Sequence, residues 1–211
     1  VLATEISRET VSKSLDAEGV FAAVSRVHKR LRGSYAVVAL IAGKGLLAFR
    51  DPYGIRPICF GSNMQENGKL EYMVSSESVT MIGLGFKVER DLAPGEALWI
   101  DLKGNVSTRQ CAENPVLSPC AFEWVYFARP DSTMDGINVY AARLKLGEYL
   151  AETLKHEIDL SEIDVVMPIP DSSRPCAQQL AQVLNLPYRE GFIKNRYVGR
   201  TFIMPGQAVR K

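Results

Sequence analysis

Apolar residues recur at helical spacing near the start of the chain: Val20, Val24, Val27 and Leu31 follow Ser14 and Asp16, residue types that open helices, and Gly33 closes the run. The period then changes. Tyr35 to Ile41 is a nearly unbroken apolar stretch that predicts a buried strand, and Gly43-Lys44-Gly45 predicts a turn into a strand over Leu46 to Phe49. Further strands are expected at Ile58 to Gly61, Leu70 to Val74 and Glu96 to Ile100, and a turn at Lys103-Gly104-Asn105 leads into another over Val106 to Gln110.

Beyond the proline-containing stretch Asn114 to Pro119 the pattern alternates helix and strand. Leu146, Leu150, Leu154 and Ile158 stand four residues apart on a helix expected from about Val139, a stripe suited to covering a sheet. A strand at Val165, a helix from Pro175 to about Leu184 and a strand near Tyr188 complete a β-α-β pattern, whose crossover implies parallel strands. The change of organisation between Cys111 and Cys120 predicts two domains, 1–112 and 113–211, the first α+β and the second α/β.

Candidate chemistry concentrates in the last fifty residues. The apolar run Val165 to Pro170 opens into Asp171-Ser172-Ser173-Arg174-Pro175 and then the helical pattern. Ser172 or Ser173 can cap that helix, Pro175 suits its first turn, and the remaining backbone N–H groups suit a phosphate at the C-terminal end of a parallel strand. Capping alone, worth about 1 kcal/mol, would also account for these residues. Downstream lies a basic, glycine-punctuated stretch from Lys194 to Gln207 with Lys194, Arg196 and Arg200. Most such clusters are solvated patches. Here Tyr197, Val198, Phe202 and Ile203 interrupt the charge with apolar groups, which fits a loop that closes over a ligand.

Other motifs have plainer readings. Arg50-Asp51-Pro52-Tyr53-Gly54-Ile55-Arg56-Pro57 is first of all a turn. His28 and His156 stand far apart among charged neighbours and are expected at the surface, with no second ligand at i+3 or i+4 to make a metal site. Glu148, Glu152 and Glu157 read as the wet face of their helix.

With 25 Lys plus Arg against 24 Asp plus Glu in 211 residues, there is no basic excess for nucleic acid or a membrane surface. An apolar share of 46% supports a sizeable core. Cys59, Cys111, Cys120 and Cys176 are widely spaced without a CxxC pair, which argues against a zinc knuckle or a secreted disulfide framework and makes the cytoplasm the expected location. No apolar run approaches the roughly 20 residues of a membrane span, and no targeting signal is evident.

The sequence KNRYVGRTFI (Lys194 to Ile203) after PIPDSS (Pro168 to Ser173), with FEWVYFARPDS (Phe122 to Ser132) upstream, resembles the glutamine phosphoribosylpyrophosphate amidotransferase family over nearly the whole chain. The resemblance implies the C-terminal part of an N-terminal-nucleophile glutaminase domain at 1–112, followed by the N-terminal part of a type I phosphoribosyltransferase domain at 113–211. It implies that Asp171, Ser172 and Ser173 hold the pyrophosphate of phosphoribosylpyrophosphate, that Ser173 is associated with Mg²⁺, and that Lys194, Arg196, Tyr197 and Arg200 lie on the flexible closing loop. Arg50 to Pro57 and Val74 to Ser78 resemble the supporting shell of the glutaminase. That chemistry uses an N-terminal Cys, so no glutaminase residue carries over to a chain that starts at Val1, and no catalytic residue is assigned. Both ends are expected to cut through domains, with a second phosphoribosylpyrophosphate motif beyond Lys211, so the segment alone is expected to be inactive. Phosphoribosylpyrophosphate, purine nucleotide inhibitors and, for the full-length parent, glutamine are the implied partners, in a homo-oligomer. The rival expectation is a non-catalytic nucleotide-binding or regulatory module.

Overall fold

The computed structural model describes residues 1–10, 15–195 and 197. In chain order its elements are α1 (Leu2–Thr10), α2 (Ala17–Arg30), β1 (Ala36–Ile41), β2 (Gly45–Arg50), β3 (Cys59–Met64), β4 (Leu70–Ser75), α3 (Ser78–Gly83), β5 (Lys87–Asp91), β6 (Glu96–Asp101) and β7 (Val106–Gln110). A π-type turn at Glu123–Phe127, the short strands β8 (Thr133–Met134) and β9 (Ile137–Asn138), α4 (Val139–Glu157), a 3₁₀ turn at Leu160–Glu162 and α5 (Arg174–Leu184) follow. Mixed α and β structure, with antiparallel sheets in the first half, agrees with the expected class. The chain divides into two compact units, Val1–Ala142 and Arg143–Lys211.

In the first unit one antiparallel sheet has the order β1-β2-β6-β7 and a second the order β4-β3-β5. Alternation along β2 and β6 explains the layering. Leu47, Phe49, Ala97 and Trp99 face the apolar stripe of α2, Val20, Phe21, Val24 and Val27. The intervening Ala48, Leu98 and Ile100 pack with Ile58, Phe60 and Leu92 from the second-sheet side. β2 and β6 are therefore covered on both faces, in a helix–sheet–sheet stack. Asp16 starts α2 from extended backbone (φ −118°, ψ 178°), its carboxylate accepting the Gly19 N–H at 2.8 Å.

The expected buried strand at Tyr35 to Ile41 forms, but only one of its faces is covered. β1 is an edge strand in which Val37 and Ile41 pack on the core while Val38 and Leu40 are exposed. A run that is apolar at every position hides this alternation.

Helix α1 was not anticipated, because it contributes little apolar surface beyond Leu2 and Ile6 and buries a carboxylate instead. Glu5 accepts from Arg26 at 2.7 Å, Arg30 at 2.6 Å and Arg8 at 3.0 Å. Arg26 first, then Arg30, hold its carboxyl down at about 2.

Residues 113–142 fall in the first compact unit, tied to it by polar contacts. Arg50, 1% exposed, spends every N–H of its guanidinium: Nε on the Arg56 carbonyl (2.9 Å), Nη1 on the Leu92 carbonyl (2.8 Å) and Asp135 Oδ1 (2.7 Å), Nη2 on the Gly54 carbonyl (2.7 Å) and Asp135 Oδ2 (2.8 Å). Arg56 pairs with Glu123 at 2.7 Å, and Glu77 Oε2 accepts from the Arg129 N–H (2.9 Å) and the Ser132 hydroxyl (2.7 Å).

In the second unit α4 and α5 approach closely. A Cβ on Gly147 would run into the Cys176 carbonyl, and Ala151, Ala177 and Ala181 are buried. The expected leucine stripe is not the covered face: Leu146, Leu150 and Ile158 are 40%, 41% and 43% exposed. Small residues at 147 and 151 permit the close approach, and the leucines lie beside that seam rather than on it. The β-α-β pattern appears as a single parallel bridge, Val166 to Tyr188, on either side of α5. Asn185, left-handed at φ 54°, ends α5, and the Leu186 N–H bonds the Ala181 carbonyl at 2.9 Å.

Candidate functional site

The turn Pro170 to Ser173 connects the bridge residue Val166 to α5, so the first turn of the helix stands where an anion site was expected. Ser173 occupies the position before the helix, and Pro175 lies in its first turn. The expected side-chain cap is absent. Ser173 already has helical backbone angles (φ −81°, ψ −11°), and its hydroxyl donates back to the Ile169 carbonyl instead of accepting a helix N–H. A capping serine needs extended backbone to aim its oxygen along the helix axis, as Asp16 does at α2. The Ser173 hydroxyl thus takes no N–H of α5; its carbonyl accepts the Ala177 N–H at 2.9 Å, and the Asp171 carbonyl accepts the Arg174 N–H at 3.3 Å.

Charged groups surround the turn at longer range. Asp171 Oδ1 lies 3.5 Å from Arg174 Nη1, and its Oδ2 3.6 Å from Lys194 Nζ. Arg174 Nη2 donates to Glu190 at 3.2 Å, and the Tyr188 hydroxyl donates to the same carboxylate at 3.3 Å. Asp171 is exposed, Ser172 and Ser173 half-buried. Tyr197 is 99% exposed, its N–H bonded to Asn195 Oδ1 at 2.9 Å. Arg196 and Arg200 lie outside the described residues. Among the described residues no group of three or more His, Cys, Asp or Glu side chains converges as a metal centre.

The motif Arg50 to Pro57 is a structural turn. Asp51, fully buried, accepts the N–H groups of Tyr53 (2.9 Å), Ile55 (3.1 Å), Arg56 (3.1 Å) and Tyr35 (3.3 Å). Gly54 takes φ +58°, and a Cβ there would sit 3.2 Å from the Arg50 guanidinium carbon. Beside this turn a cavity of about 330 Å³ is lined by Ala36, Arg56, Pro57, Ser76, Glu77, Glu123 and Phe127. Burial pushes the Glu123 carboxyl up, against the opposing pull of Arg56.

His156 is exposed, as expected, but His28 is not. It is 8% exposed, its Nδ1 lies 2.8 Å from the Tyr35 hydroxyl, and its ring stacks on Tyr35 and meets the edge of Phe49. Burial lowers its pKa, so the imidazole is a neutral core group. Sequence reasoning weighed its charged neighbours and missed that i, i+4 spacing from Val24 puts it on the buried face of α2. It also did not single out Asp135, the partner of Arg50. Asp135-Gly136, with φ 48° and 76° between β8 and β9, is a two-residue hairpin signal readable in the sequence.

The architecture is that of a phosphoribosylpyrophosphate amidotransferase. A solved glutamine phosphoribosylpyrophosphate amidotransferase from Bacillus subtilis, complexed with ADP and GMP, matches 99% of this chain and 42% of its own with a TM-score of 0.77 at 36% identity. The amidophosphoribosyltransferase of Pseudomonas aeruginosa is 60% identical over 194 residues, covering 92% of this chain and 38% of that protein. That of Escherichia coli is 53% identical over 197 residues, covering 93% and 39%. No family model matches the chain. The chain belongs to the amidophosphoribosyltransferase family and spans about two fifths of the length of the curated relatives it matches.

Proposed function

We propose that the chain is a working part of an amidophosphoribosyltransferase. In that reaction ammonia from glutamine displaces pyrophosphate at C1 of phosphoribosylpyrophosphate, giving 5-phosphoribosylamine, glutamate and pyrophosphate, and so opens purine biosynthesis. The observation that carries this reading is the 60% identity to the Pseudomonas protein over 92% of the chain. Residues 1–112 belong to the glutaminase-type domain and 113–211 to the first part of the phosphoribosyltransferase domain. Asp171, Ser172 and Ser173 receive the pyrophosphate group at the start of α5, where the Ser173 hydroxyl takes no helix N–H. Lys194 and Tyr197, with Arg196 and Arg200 outside the described residues, are the site's further residues, expected to cover the bound group and exclude water.

Mg²⁺ suits this setting, since it prefers hard oxygen ligands and substrate phosphates. The Ser173 hydroxyl gives its hydrogen to the Ile169 carbonyl, which leaves oxygen lone pairs for a cation or its water. When bound, the ion would neutralise charge on the departing pyrophosphate.

In this reading no catalytic residue is assigned to the chain. Each of its cysteines has its amine in a peptide bond, and the buried Cys59 thiol is pushed up to about 12 by desolvation. Purine nucleotides are the inhibitors, a proposal supported by the ADP and GMP of the Bacillus complex. Four free cysteines agree with a cytoplasmic location, and no helix among the described residues is long and apolar enough to cross a membrane. A homo-oligomer is the assembly, and neither nucleic acid nor membrane is a partner.

Calorimetric titration of the chain with pyrophosphate and Mg²⁺ tests the site. Binding in the millimolar range, about 4 kcal/mol, is expected, weakened in Ser173→Ala chiefly in the presence of Mg²⁺. No binding to the wild type, or equal affinity in both, overturns the assignment.

A further inference from the structure

A carboxylate stands among the cations at the turn where an anionic ligand is proposed to bind. Asp171 lies between Arg174 and Lys194, at 3.5 Å and 3.6 Å. Both contacts are longer than the roughly 2.7–2.9 Å of a well-formed charge-assisted hydrogen bond. All three side chains are one-third to one-half exposed. Long, wetted ion pairs of this kind are weak and yield to competing ions. Arg174 is held from the other side by Glu190, itself bonded to Tyr188, while its Nε is buried without a hydrogen-bond partner. The Nη1 donor that meets Asp171 at 3.5 Å is only loosely engaged, and the planar fork of the guanidinium matches a phosphate as well as a carboxylate.

We propose that Asp171 is a stand-in anion: in the free chain its carboxylate takes the place of a ligand phosphate between Arg174 and Lys194, and pyrophosphate displaces it from both. Arg174, with Glu190 3.2 Å from its Nη2, is then the cation that recognises the incoming group, and Lys194 the second one. The favoured ligand is a phosphate or pyrophosphate group, because it outcompetes a single carboxylate only by bringing more charge and more acceptor oxygens. The inference rests on the reading of the turn as a phosphate site, and it gives Asp171 a competing role where direct contact alone would give a supporting one.

Titrating the chain with pyrophosphate in Mg²⁺-free, low-salt buffer separates the two ideas. Asp171→Asn is expected to bind about two- to fivefold tighter, the worth of one exposed ion pair. Arg174→Gln is expected to bind about tenfold more weakly, as for the loss of a hydrogen bond to a charged group. In the double variant the gain from Asp171→Asn should shrink, since one of the cations it frees is gone. Circular dichroism checks that each variant is folded. If pyrophosphate binds the wild type and Asp171→Asn is no tighter, the stand-in is overturned and the site stands. If neither the wild type nor Asp171→Asn binds, both readings fall.

Discussion

Two arginines, each facing an aspartate, behave as opposites in this chain. Arg50 is buried and spends every N–H at 2.7–2.9 Å, on Asp135 and on carbonyls from separate parts of the first unit. Arg174 is partly exposed, meets Asp171 and Glu190 at 3.5 and 3.2 Å, and leaves its Nε without a partner. The helix starts repeat the contrast, since Asp16 caps α2 while Ser173 turns away from α5. Residue type does not separate the two cases. Saturation does: where polar groups satisfy one another they hold the scaffold, and where they are loosely paired they remain available to something else.

Breaking the saturated side should have the largest effect. Arg50→Ala strands Asp135 and the Gly54, Arg56 and Leu92 carbonyls, and is expected to cost about 3–5 kcal/mol in urea unfolding of the first unit, as for removing one partner of a buried ion pair. A loss under about 1 kcal/mol would mean that the network is dispensable.

The Glu5 cluster gives the next effect, visible as a pH dependence. Its folded pKa is lowered from 4.5 to about 2, so the carboxylate stabilises the fold above the unfolded value, and that contribution is lost as pH falls from about 5 toward 2. The thermal midpoint of the wild type should exceed that of Glu5→Gln at pH 7 and converge on it near pH 2. A difference independent of pH would rule out the charge as its source.

The two helix starts can be compared directly. Asp16→Ala should cost about 1 kcal/mol, the loss of a working cap. Ser173→Ala should change stability by less than about 0.5 kcal/mol, since no cap is lost there. Equal costs in thermal or denaturant unfolding would remove the distinction.

Much of the scaffold was readable from periodicity. α2 and strands β1, β2, β4 and β6 fall within a residue or two of expectation because each carries a mainly apolar pattern, and β7, VSTRQ, is placed by the turn at Lys103-Gly104-Asn105 before it. β5, Lys87–Asp91, was not readable: four of its five residues are charged, and it is a strand because β3 supplies a partner. The position of the turn at 171–173 was legible, while the conformation of Ser173 was not, since serine is compatible with both extended and helical backbone. The contacts of Asp135 with Arg50 and of Glu123 with Arg56, within the first unit, span 85 and 67 residues, a range over which local pattern carries no information.

The most direct test of the central claim is to follow backbone amide resonances of the chain while pyrophosphate and Mg²⁺ are added. The account predicts saturable shifts at Ser172, Ser173, Arg174 and the first turn of α5, with Asp51 and its turn unmoved. Shifts confined to the Arg50 to Pro57 turn, or spread evenly over both units, would contradict it.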